Sequence, residues 1–80
     1  MARMQMALLD LAAGRPAQAI AELEEARRHM GDRTDILNGL GESYTRLNDR
    51  TKALAILKKS LAIDPDQPLV KSAIDNLDNR

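Results

Sequence analysis

The feature that most limits how this chain can fold is a self-similarity at one fixed spacing. The interval from Ala19 to Ala53 recurs between Leu23 and Leu57, Ala26 and Ser60, and Ala21 and Ala55. Earlier in each copy Met6 corresponds to Leu40, Ala7 to Gly41, and Gly14 to Asn48. A period of this length, roughly 34 residues, marks a supersecondary unit repeated along the chain. Such a unit is too small to shield its own apolar face, so it stacks on its neighbour.

Within each copy the apolar spacing is helical. Ala19, Ile20, Leu23 and Ala26 form one stripe, while Glu22, Glu24, Glu25, Arg27 and Arg28 lie on the other side. Ala53, Leu54, Leu57, Ser60 and Leu61 repeat the stripe, with Lys52, Lys58 and Lys59 opposite. Composition points the same way. Ala, Leu, Ile and Met dominate the apolar content, Phe and Trp are absent, and Tyr44 is the lone aromatic residue. These are helix formers, and the residues that favour strands are scarce. The chain is therefore expected to be all-α.

Breakers divide it into five helices. The first spans residues 1–13 and stops at Gly14. Pro16 is suited to open the second, which runs to residue 30 and ends at Gly31. Asp32 and Thr34 both qualify as caps for a third helix reaching residue 47. Asn48 and Asp49 make the turn into a fourth, residues 50–63, closed by Asp64-Pro65. Asp66 is expected to cap a last short helix over residues 67–78. Short loops between helices of a few turns place neighbours antiparallel.

This period, composed of helix, turn and helix, resembles the tetratricopeptide repeat. The resemblance is strongest over residues 34–67, where Leu37, Leu40, Gly41, Tyr44, Ala53, Leu57, Ser60 and Pro65 stand at the positions that family's pattern emphasises. Residues 1–31 form a degenerate first unit, with Arg3, Asp10 and Gly31 in place of a bulky apolar residue, a tyrosine and a proline. Residues 68–80 are expected to be a capping helix, with Leu69, Val70, Ala73, Ile74 and Leu77 on its packed side. The resemblance implies a single domain of two tandem antiparallel hairpins plus that cap, in a right-handed superhelical stack. Gly41 and Ala53 are expected at the closest helix crossing, with Tyr44 and Leu57 filling the gap between hairpins.

The resemblance also implies a function. Such repeats hold a peptide or partner helix in an inner groove lined by their first helices. Here those positions are Met1, Met4, Leu8, Leu11 and Ala12, then Asp35, Asn38, Glu42, Thr45 and Arg46. One wall is apolar, the other polar with a mild acidic lean. The first helix, with Met4, Met6, Leu8, Leu9 and Leu11, is apolar over more than one face and expects cover on both sides. The expected function is a protein-interaction module with a protein or peptide partner. The alternative is a self-associating, homodimeric segment, or a fragment of a longer array, joined through Met4, Leu8 and Leu11. A melting midpoint that rises with protein concentration would accompany self-association.

Other chemistries find little support. Twelve basic residues balance twelve acidic ones, so no net field draws nucleic acid or an anionic membrane. Without cysteine there is no disulfide, thiolate metal site or cysteine nucleophile. His29, the one histidine, has no partner at a spacing that would activate it. Met1, Met4 and Met6 imitate a thioether site, but positions two apart on a helix point apart. Asp64, Asp66, Asp75 and Asp78 lack the ligand series of a calcium loop. The stretch from residue 6 to 13 is too short to span a bilayer, and Asp10 interrupts it as a secretory signal. No catalysis, cofactor, metal or membrane insertion is expected, and the expected compartment is the cytoplasm.

Overall fold

The structure, a computed structural model, describes residues 2–79, with side chains from residue 6 onward. It contains α1 (Ala2–Ala12), α2 (Pro16–Met30), α3 (Thr34–Arg46), α4 (Arg50–Ile63) and α5 (Pro68–Asp78). α1 pairs with α2 and α3 with α4, giving two hairpins. α3 also packs on α2 and touches α1, and α5 packs on α4. The all-α, tandem-hairpin architecture agrees with the repeat in the sequence.

Both hairpin turns close the same way. Gly14 has φ +80° and Asn48 has φ +60°, the left-handed region that glycine enters freely and asparagine tolerates. The Arg15 amide donates to the Asp10 carbonyl at 2.7 Å, and one repeat period later the Asp49 amide donates to the Tyr44 carbonyl at 2.9 Å. These bonds satisfy carbonyls that a helix end would otherwise leave free. Asp49 then caps α4 by accepting from the Lys52 amide at 3.3 Å.

The helix starts depart from expectation at two places. Arg33, not Asp32 or Thr34, is the N-cap of α3, and its own side chain makes no capping hydrogen bond. Asp32 is drawn instead between two cations, Arg27 Nε at 2.6 Å and Lys59 Nζ at 2.9 Å, and so joins the first hairpin to α4. Those partners, Arg27 above all, hold its carboxyl below the usual aspartate range. Asp66 does not cap α5 either. Gln67 occupies the N-cap, Pro68 opens the helix, and the Asp66 amide donates to Asp64 Oδ1 at 3.1 Å.

The core has two parts. Ala7, Leu11, Ala19, Leu23, Ala26, Ile36 and Leu40 join the two hairpins. Ala53, Leu57, Val70, Ile74 and Leu77 join the second hairpin to α5. Tyr44 packs against both, as expected for a residue between hairpins, and Leu57 lies in the second. A Cβ added to Gly41 would sit 2.6 Å from Leu57 Cγ, so Gly41 marks a close approach of α3 and α4. Leu37 and Ser60 are fully buried, and Pro65 is exposed in the loop before α5.

Asp10, at the position where the family pattern expects tyrosine, is met by Glu22. Glu22 Oε2 is buried without a hydrogen-bond partner, while Asp10 accepts from Arg15 Nε at 2.9 Å. The neighbouring Asp10 carboxyl, and then burial, push the Glu22 pKa up. Glu22 and then Arg15 push that of Asp10 down. A carboxyl whose folded pKa is raised stabilises the fold at low pH and loses that contribution as pH rises through the folded value. Glu22→Gln places an amide donor beside Asp10 and cannot ionise. This variant is expected to melt above the parent near pH ~7, with the gap closing toward pH ~4, where Glu22 is itself protonated. Calorimetric melting across that range checks it. A gap that widens in acid would contradict the assignment.

Candidate polypeptide-binding groove

α3 and α5 flank a cleft of about 380 Å³ floored by Leu57 of α4. Asn38, Glu42 and Thr45 form the α3 wall, and α5 supplies Leu69, Val70, Ala73, Asn76 and Leu77. The position of α5 follows from its sequence register. Val70, Ile74 and Leu77, its buried residues, lie one repeat period after Ile36, Leu40 and Ser43, buried residues of α3. α5 thus stands where the first helix of a further unit would, and it contributes a cleft wall beyond the positions expected from the sequence. Leu69 is not on the packed side as expected. It is 84% exposed at the cleft's lip, about a quarter-turn from the Val70 stripe.

A polar network sets the distance between the walls. Ser60 Oγ donates to Asn38 Oδ1 at 2.6 Å, and Asn38 Nδ2 donates to Gln67 Oε1 at 2.8 Å. Gln67 Nε2 donates in turn to the Asp64 carbonyl at 2.8 Å and the Ser60 carbonyl at 3.1 Å. Bonds among half-buried amides tie α3, α4 and the start of α5 to one geometry. Asn38 therefore lines the cleft but commits much of its amide to this lock. Glu42 remains exposed, with a long 3.4 Å contact to Arg46. Thr45 hydroxyl donates back to the Gly41 carbonyl at 2.7 Å, leaving its methyl group as the contact surface.

The other expected groove residues are dispersed. Arg46 donates to the Leu11 carbonyl at 3.1 Å and so caps the end of α1 across the hairpin boundary. Asp35 is held by Arg33 at 3.1 Å and accepts the Ile36 amide at 2.8 Å. Leu11 is a correction. It is 7% exposed and belongs to the core between hairpins, because the end of α1 turns under α3. Leu8 is exposed, and so are Met6 and Leu9. The side chains of Met1 and Met4 lie outside the described residues. His29 is exposed and contacts Glu25 Oε1 at 3.0 Å. Among the described residues no group of three or more His, Cys, Asp or Glu could hold a metal ion. No described helix is long and apolar enough to cross a membrane.

The sequence profile of the tetratricopeptide repeat matches residues 10–77. The chain belongs to the tetratricopeptide repeat family. Repeats of this family generally mediate protein–protein interaction and are typically non-catalytic. Among curated proteins it is similar to cellulose synthase operon protein C of Escherichia coli (strain K12), at 40% identity over 52 residues. The putative cellulose synthase operon protein C of Escherichia coli O157:H7 matches equally. That stretch is 65% of this chain but only 4% of either relative, so the chain spans a small part of the proteins it matches. No solved structure matches.

Proposed function

We propose that this tetratricopeptide domain binds a polypeptide segment in the cleft between α3 and α5. The observation that carries the reading is the cleft's make-up. Leu57, Val70 and Leu77 offer an apolar floor, and Leu69 stands 84% exposed at its lip, where a monomer gains nothing by leaving it. Glu42 and Asn76 add polar groups on opposite walls. An apolar side chain seated on the floor, with a cationic residue beside Glu42, matches this arrangement. The cleft is small enough to take one or two anchoring residues, which suits a short segment over a broad protein surface.

Selection of displayed peptides on the intact chain, followed by amide chemical-shift mapping, tests the proposal. The expected result is shifts at Thr45, Ala73 and Asn76, and ~10-fold weaker binding to Leu69→Asp, whose exposed position spares the fold. Peptides that shift only the outer faces of α2 and α4, or that bind Leu69→Asp unchanged, would overturn it.

A further inference from the structure

Asn38 and Gly39 are consecutive residues inside α3, and each answers to a different neighbour. Asn38 is half-buried and commits both ends of its amide to the lock between the cleft walls. Its Oδ1 accepts from Ser60 Oγ at 2.6 Å, and its Nδ2 donates to Gln67 Oε1 at 2.8 Å. Gly39 faces α2. A Cβ there would come within 3.1 Å of Leu23 Cδ1 and 3.3 Å of Leu23 Cδ2, and Leu23 is buried in the core between the hairpins. Packing thus calls for a glycine directly after an asparagine that the lock calls for.

That pair is chemically labile. Without a Cβ on the following residue, the Gly39 backbone nitrogen has open access to the Asn38 side-chain carbonyl carbon once the chain is free to turn. The N–Cγ bond forms as the Cγ–Nδ2 bond breaks. The proton of the Gly39 amide is given up, and Nδ2 departs as ammonia, leaving a cyclic imide. Water then opens the imide at either carbonyl, giving aspartate or, with the chain routed through the side chain, isoaspartate. Overall, asparagine and water become an aspartyl residue and ammonia. In the folded chain the attack is blocked. The Gly39 amide lies within the hydrogen-bond ladder of α3, and both ends of the Asn38 amide are tethered.

We propose that Asn38 is a deamidation site, closed while α3 is folded and reached through opening of the helix, whose product prevents the lock from re-forming. Aspartate at this position still accepts from Ser60 Oγ but offers no donor to Gln67 Oε1. Gln67 can turn its amide to repair the contact only by giving up its bonds to the Asp64 carbonyl at 2.8 Å and the Ser60 carbonyl at 3.1 Å. The new carboxylate also lies one helical turn from Glu42, a like-charge pair. Isoaspartate does more damage, because its extra backbone carbon interrupts the helical ladder. A transient opening thereby becomes a lasting change in the cleft walls. This inference rests on the lock and the Asn38–Gly39 pair and is independent of what the cleft binds.

The intact chain is aged in mildly alkaline buffer across a urea series, with each asparagine followed by peptide mass spectrometry and isoaspartate separated by chromatography. In full urea Asn38 is expected to react ahead of Asn48, Asn76 and Asn79, and Gly39→Ala to slow it severalfold. In the folded chain the reaction at Asn38 is expected to be ~100-fold slower or more, rising with urea in step with the loss of helix by circular dichroism. Asn38→Asp, the product made directly, is expected to melt below the parent and to lose the tethered Gln67 side-chain amide signals. Equal rates in folded and unfolded chains overturn the proposal, as does an Asn38 that lags the other asparagines in urea. So does an Asn38→Asp chain that keeps the parent's melting midpoint and Gln67 signals.

Discussion

Leu40→Ala is expected to destabilise the fold by about 2–5 kcal/mol, while Met6→Ala, its register mate in the first unit, changes it by less than ~0.5 kcal/mol. The two residues occupy the same position of the repeat and differ in what covers them. Leu40 is fully buried among Ala7, Leu23 and Ala26, so truncation loses the transfer energy of its side chain and leaves a cavity. Met6 is half exposed, so shortening it removes little that was shielded. A chain this short has only a few kcal/mol of stability to lose, and the Leu40→Ala variant is expected to be substantially unfolded at room temperature. Urea titrations followed by circular dichroism measure both. Similar losses at the two positions would mean that Met6 is covered, contrary to the structure.

Gly41→Val is expected to cost about 2 kcal/mol or more, with Gly41→Ala costing less. At Gly41 a Cβ would approach Leu57 Cγ to 2.6 Å, inside van der Waals contact. Leu57 is 4% exposed, so even one methyl group must displace a buried side chain. Ala7 occupies the same register position in the first hairpin, buried in the same core as Leu23, the register mate of Leu57. Alanine also gains about 1 kcal/mol of helix propensity over glycine, which offsets part of the displacement of Leu57. Valine brings two further methyl groups and a stiff χ1, and neither α3 nor α4 can move without opening the second core. Thermal melts of the three proteins give the order. Valine tolerated as well as alanine would show that the two helices are not in close contact there.

Much of the architecture is legible in the sequence. The helix ends fall within a residue or two of expectation because glycine, proline and asparagine interrupt the apolar stripes where the chain turns. The hairpin contacts follow from the repeat, since Gly41, Ala53, Leu57 and Tyr44 have fixed places in it. The lining of the proposed groove is legible only on its α3 side. Asn38, Glu42 and Thr45 line the cleft as their positions imply, but Leu11 turns inward and Arg46 is recruited to cap α1. The missing wall is α5, whose register with α3 is present in Val70, Ile74 and Leu77 yet masked by the polar residues that make it a cap.

Local chemistry thus determined what forms along the described residues: amphipathic helices, left-handed residues at Gly14, Gly31 and Asn48 that end them, and a repeat that must stack to shield its apolar edge. Tertiary structure decided which of two equivalent residues is buried, which carboxylate caps and which bridges, and where a cleft opens. Equivalence along the sequence assigns a residue to a face of its helix. Burial depends on whether a neighbouring helix lies over that face, and the ends of the stack differ in this respect from its middle.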